Sequence, residues 1–352
     1  MIRESNEIKI LGIRFSKNFK QLIDSNYDNL IKNINYVLSL HYKRRLNLFQ
    51  KTWLLDTFIL SKLWYMAQLF PPNNKHIALL RNICGKFLWK GQFYKVERKE
   101  LYLPVCKGGL SLVDIESKSK ALFIKNVLVS KNQAIVDEFM LHQENNASLT
   151  KNTRDWIQTA QSLRNLNYTA CQKFYDYLID LQNITIKQQV TRPNMLWENI
   201  FENTSRSFLS SNAKSTLFLV TRDIIPSKVK LFNHRVRGVD SSTCNSCGRI
   251  DTVEHRIKMG LASNLIWGWL NEIIKNRFKI NINDAQELLF CGISKRNFKY
   301  KAALWLMVET MSYCLDKYDT GNIKELQSRI RETRWNKRKI FAIEFKHFLN
   351  IF

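Results

Sequence analysis

The run WLLDTFILSKLWYMAQLFPPNNKHIALLRNICGKFLW, residues 53–89, decides the fold class. Its first part, 53–70, is apolar on most sides, as the central helix of a bundle is. FPPNNK (70–75) ends it, because two prolines cannot continue a helix. A further helix is predicted over 77–89. Working outward, LIDSNYDNLIKNINYVLSL (22–40) sets Leu22, Ile23, Leu30, Ile31, Ile34, Val37 and Leu38 at helical spacing. NEIKILGIRFS (6–16) alternates instead, and predicts one or two short strands ending at Ser16. Past an irregular stretch, 90–115, where Gly108 and Gly109 mark a tight turn, helical patterns return over 116–142, 150–190 in pieces, 196–220, 262–278, 297–318 and 322–349. With 11 Gly and 5 Pro in 352 residues, little interrupts them. The expected fold is mainly α, with a short β segment at the N-terminus. AALWLMVETMSYCL (302–315) carries one Glu in an apolar run and predicts a buried helix.

Charge points to a partner. Lys and Arg total 55 against 30 Asp and Glu, a net charge of +25. Such a surplus costs self-repulsion unless an anion meets it. Nucleic acid leads, with an anionic membrane surface behind it. No apolar run reaches the roughly 20 residues needed to cross a bilayer, and MIRESNEIKI (1–10) is too charged for a signal peptide. The 7 cysteines, an odd number and scattered, form no disulfide framework. The expectation is an intracellular, reducing setting, nucleus and cytoplasm, with no membrane partner.

Three cationic clusters are candidates for phosphate contact. HYKRRLNLFQK (41–51) carries Lys43, Arg44, Arg45 and Lys51 beside Tyr42, a mix suited to phosphate contact and stacking. KGQFYKVERK (90–99) carries Lys90, Lys95, Arg98 and Lys99 beside Phe93 and Tyr94. The last helical stretch carries Arg329, Arg334, Lys337 and Arg338. Each is equally a solvated basic segment when read alone, and the last is expected to dock an apolar stripe with its basic face outward.

CNSCGRIDTVEHRIKMG (244–260) resembles three corners of a zinc site. Cys244 and Cys247 supply two thiolates from one knuckle, and His255 a third donor from a following turn capped by Asp251 or Thr252. Water or a distant residue would complete it, His234 and Cys291 being the available side chains. A Cys-x-x-Cys that binds nothing is the plain alternative.

Together these segments resemble the carboxyl-terminal part of LINE-type (non-LTR) retrotransposon reverse transcriptases. Their zinc knuckle runs Cys-x2-Cys-x7-His-x4-Cys, with an acidic residue before the His and Ile-Trp shortly after the last Cys. Cys244, Cys247, Glu254, His255, Ile266 and Trp267 keep step, and Gly260 stands where the fourth Cys belongs. IKILGIRF (8–15) is similar to the palm strand after the primer grip, and 44–72 to the helical thumb. GKFLWKG (85–91), LPVCKGGLSLVDI (103–115), LWENIF (196–201) and DIIPSKVKLF (223–232) match further segments in order. The resemblance implies palm-strand remnants at 1–16, a thumb-like helical region at 17–142, a helical linker at 143–236, a degenerate zinc knuckle at 237–262 and a helical region at 263–352. The polar run 143–153 is the expected boundary.

These polymerases hold two metal ions on a Phe/Tyr-Ala-Asp-Asp turn, and no Asp-Asp pair occurs in this chain. The resemblance therefore implies no enzyme by itself: a fragment that binds RNA or DNA, with weak zinc occupancy at three ligands. A separate chain carrying the palm, or other retrotransposon proteins, would be its further partners. A domesticated protein-interaction module and a remnant without function are the rival expectations.

Overall fold

The computed structural model describes residues 7–16, 19–90, 95–129, 151–166, 168–187, 189, 194, 196–206, 209–280, 298–317 and 320–337. It is mainly helical with one two-stranded sheet among the described residues. The chain divides into two compact units, 1–103 with 110–185, and 104–109 with 186–352.

In the first unit, β1 (Glu7–Ile10) and β2 (Ile13–Ser16) pair antiparallel in the register Glu7↔Ser16 to Ile10↔Ile13. Leu11 and Gly12 both take positive φ, 50° and 87°, the twist that joins strands through a two-residue turn. The hairpin is tied to α1 (Phe19–Tyr42) by Asn26, which accepts from the Arg14 N–H at 3.0 Å and donates to its carbonyl at 2.7 Å. Leu22, Ile23, Ile31, Ile34 and Leu38 form the buried stripe of α1, as their spacing predicts.

The predicted helix over 53–70 is broken. α2 (Leu48–Leu54), opened by an Asn47–Gln50 capping box, runs into a π turn over Leu55–Ile59, and α3 (Ser61–Ala67) resumes beyond it. An inserted π residue rotates the faces without removing an apolar side chain, so a run apolar on most sides conceals it. Pro71 and Pro72 stop the chain, and Asn73 caps α4 (Asn74–Leu88) by accepting from the His76 N–H at 2.9 Å.

Asp114 caps α5 (Ile115–Leu128). α6 (Lys151–Leu163) and α7 (Cys171–Asp180) pack Trp156, Ile157 and Phe174 against Ile77, Phe123 and Ile124. The division into compact units falls between Thr185 and Ile186, downstream of the polar run 143–153. The described end of that polar run opens α6, where buried Asn152 donates to the Pro72 carbonyl at 3.1 Å and to Asn74 at 2.8 Å. Polar side chains that find partners can be buried, as Asn152 is.

The second unit contains α8 (Trp197–Ser205), α9 (Ser211–Thr221), α10 (Lys228–Asn233), α11 (Leu261–Ile273), α12 (Phe298–Asp316) and α13 (Ile323–Lys337). α12 is buried on every face from Ala302 to Cys314, as its sequence predicts, and its Glu309 accepts from the Ser210 hydroxyl at 3.1 Å. Leu217, Trp267, Leu270 and Trp305 centre the core. No helix among the described residues is long and apolar enough to cross a membrane.

Gly108 is required where it stands. Its φ of +86° is left-handed, and a Cβ there would meet the Phe201 ring at 2.7 Å and Ile186 at 2.8 Å. Its carbonyl also accepts from the buried Arg222 guanidinium. Gly108→Ala should cost about 2–4 kcal/mol, combining left-handed strain with overpacking. Chemical denaturation checks this, and a loss below about 0.5 kcal/mol would contradict the packing described.

Candidate metal centre and basic clusters

The chain around Cys244 folds as a knuckle because its backbone closes on itself. Thr243 and Ile250 form an antiparallel bridge, the Cys244 N–H donates to the Arg249 carbonyl at 2.7 Å, and the Gly248 N–H donates to the Cys244 carbonyl at 2.9 Å. Of the two expected caps, Thr252 takes the role, its hydroxyl accepting from the His255 N–H at 3.0 Å. Asp251 does something else. Fully buried, it accepts from Arg256 Nε at 2.9 Å and Nη2 at 2.6 Å, and from the Lys228 N–H at 3.0 Å. Burial alone would push its carboxyl up, but those donors hold it below the usual carboxylate range.

The ligand atoms of Cys244, Cys247 and His255 lie within 4.8 Å of one another, and Cys247 Sγ is 3.5 Å from His255 Nε2. Two thiolates and an imidazole around one tetrahedral ion stand about 3.5–3.8 Å apart. The cluster can therefore hold a metal ion. Cys244 and His255 are buried, so the site is set into the unit rather than laid on its surface.

The turn after His255 brings Gly260 close to the same donors. His255–Met259 is a π turn, closed by the Gly260 N–H donating to the His255 carbonyl at 2.7 Å. A Cβ on Gly260 would lie 3.7 Å from His255 Nε2. Position 260 thus lies beside His255, one of the three donors of the cluster. His234 is exposed, beyond the end of α10, and does not join the group, and Cys291 lies outside the described residues.

The basic candidates separate by environment. Lys43, Arg44 and Arg45 are all exposed in the link between α1 and α2, and among the described residues none of them makes a hydrogen bond through its side chain or an ion pair. Lys90, Lys95 and Lys99 are exposed and Arg98 half-buried. Lys51 is a correction. It is 5% exposed, donates through Nζ to the Leu88 carbonyl at 2.8 Å and stands over the Phe87 ring. Burial, then the nearby Lys90 charge, brings its pKa down to about 8. Its ammonium completes the C-terminus of α4 and is unavailable to phosphate.

Arg329 is also engaged, donating to Asp316 at 2.9 Å and Ser312 at 3.0 Å. Arg334 and Lys337 lie on α13, whose described portion ends at Lys337, and Arg338 lies outside the described residues. Compared with known proteins, the chain is matched by no family model and by no curated protein.

Proposed function

We propose that this protein binds RNA or DNA through phosphate contacts made by exposed cations of its first unit, and that zinc stabilises the knuckle of its second. The observation that carries the reading is the exposed Lys43–Arg44–Arg45 run, without a carboxylate partner among the described residues. Three adjacent cations left unpaired in a chain of net charge +25 are poised to release counterions from a polyanion. The likeness to the carboxyl-terminal part of a LINE-type reverse transcriptase supplies the same ligand class. On this reading the chain contributes binding and no polymerase chemistry, since the sequence holds no Asp-Asp pair.

Zinc suits the donor set, because soft thiolates with imidazole select it over hard oxygen-loving cations. Cys244, Cys247 and His255 would hold it and would join the knuckle to the π turn below it.

The test is salt-dependent retention. Charge reversal of Lys43, Arg44 and Arg45 to Glu should flatten the log–log salt dependence of duplex or hairpin binding by about 2–3, near 0.9 per lost phosphate contact. An unchanged slope, or no binding by the unaltered protein at modest ionic strength, would defeat the proposal.

A second reading has one observation in its favour. Met259, Leu261 and Leu265, beside the cluster, are 48%, 62% and 70% exposed. An apolar group of that kind fits a protein-interaction module. Such a module would keep its partner after the charge reversal.

A further inference from the structure

The first unit contains a cavity of about 310 Å³ between α4, α5, α7 and the 3-10 turn Arg98–Tyr102. Its size is at the lower end of small-ligand sites, roughly 300–1,000 Å³. Arg81, Arg98, Lys99 and Lys120 face it, against Asp114 and Glu116, a surplus of two positive charges.

The carboxylates are already spent. Arg81 Nη2 lies 2.7 Å from Asp114 Oδ1 and 3.0 Å from Glu116 Oε2. The other Asp114 oxygen accepts from the Ser117 N–H at 3.1 Å and hydroxyl at 2.7 Å, and Gln182 donates to that hydroxyl at 3.1 Å. Asp114 is 1% exposed, and this network holds the wall of the cavity in one arrangement.

The remaining cations are not spent. Among the described residues, Arg98, Lys99 and Lys120 make no side-chain hydrogen bond and no ion pair, and Arg98 Nε is buried without a partner. Burial lowers the Lys120 pKa, with Glu116 and Asp155 opposing it, so this ammonium has lost hydration that no ion pair replaces. Three cations without a hydrogen-bond or ion-pair partner among the described residues, set around a concave space and one of them a planar guanidinium, match the geometry of a compact oxyanion.

The charge surplus of two narrows the class. A phosphate monoester carries about −1.5 to −2 at pH 7 and three acceptor oxygens, whereas an internal phosphodiester carries one charge and is flanked by sugars on both sides. A recess admits a chain end more readily than a chain middle.

We propose that this cavity binds a terminal phosphate monoester of a nucleic-acid strand, with Arg98 and Lys120 as the principal contacts and Lys99 beside them. The strand as ligand rests on the nucleic-acid reading above; the phosphate chemistry rests on the cavity alone. A free nucleotide offers the same group, so the experiment separates the two sources.

Oligonucleotides of one sequence, bearing a 5′-phosphate, a 3′-phosphate or only hydroxyl ends, are titrated into the full chain by fluorescence anisotropy. Nucleoside monophosphate is titrated alone by calorimetry. The expected result is about tenfold tighter binding of one phosphorylated end over the hydroxyl-ended strand, the scale of one or two charge-assisted hydrogen bonds. R98Q/K120Q should collapse that ratio to about one while its melting temperature stays close to that of the unaltered protein, since neither side chain has a hydrogen-bond or ion-pair partner among the described residues. Equal affinity for all three strands overturns the proposal while leaving general nucleic-acid binding intact. A preference that survives R98Q/K120Q overturns it as well. Binding of the mononucleotide without any strand preference assigns the cavity to a free phosphate and overturns the strand-end assignment. Failure of every strand to bind defeats the broader reading together with this one.

Discussion

Gly260→Cys should tighten zinc binding by about 10²–10³-fold. Structural zinc sites are worth roughly 10–16 kcal/mol over four ligands, so one added thiolate contributes on the order of 3 kcal/mol. The geometry favours the exchange. Gly260 sits at φ −62° and ψ 151°, extended backbone that any residue adopts, so no glycine-specific conformation is lost. A Cβ would stand 3.7 Å from His255 Nε2, and its tightest contact, 3.3 Å to the His255 carbonyl, asks for a shift of a few tenths of an ångström. From there a sulfur can close the tetrahedron begun by Cys244, Cys247 and His255.

Competition against a chromophoric chelator measures the change, with Gly260→Ala as the control for a side chain without a donor. Equal zinc affinity in Gly260→Cys and Gly260→Ala would show that the corner is not aimed at the ion. Stoichiometric, chelator-resistant zinc in the unaltered protein would contradict weak three-ligand occupancy.

The second large effect falls on the core beneath that site. Trp267→Ala should destabilise the second unit by about 3–5 kcal/mol. Trp267 is 1% exposed within the cluster that includes Leu217, Leu270 and Trp305, and its indole N–H donates to the Ile257 carbonyl. Removing the ring opens a cavity and also strands a carbonyl inside the π turn between His255 and Met259. Trp267→Phe separates the two contributions, keeping most of the volume while losing the hydrogen bond, at about 1–3 kcal/mol for the stranded buried carbonyl plus a smaller packing loss. Urea denaturation gives the values. An alanine variant within 1 kcal/mol of the unaltered protein would mean that Trp267 does not anchor this turn.

Local chemistry was legible in the residues. The buried stripe of α1 follows from Leu22, Ile23, Ile31, Ile34 and Leu38, because helical period alone decides which side chains share a face. The stop at Pro71–Pro72 is likewise a short-range event. Cys244, Cys247 and His255 meet because a knuckle and one following turn are enough to bring them together.

What escaped the sequence depends on distant partners. Lys51 reads as one more surface cation, yet its ammonium reaches the Leu88 carbonyl across 37 residues. Arg81 and Lys120 form no basic run in the sequence that would set them apart from other helix cations. The cavity arises only where α4 meets α5 and Arg81 finds Asp114, 33 residues on. The π turn at Leu55–Ile59 left no mark in an evenly apolar run.

The sequence by itself determined the helical class, short strands at the N-terminus, the spacing of Cys244, Cys247 and His255, and the excess of cations. Periodicity, turn chemistry and net charge are local or additive, and need no knowledge of neighbours. Tertiary structure decided which cations lack partners among the described residues, where the chain divides, and that position 260 stands beside His255 of the candidate cluster. Those outcomes depend on which side chains desolvate one another, and only packing between distant segments settles that.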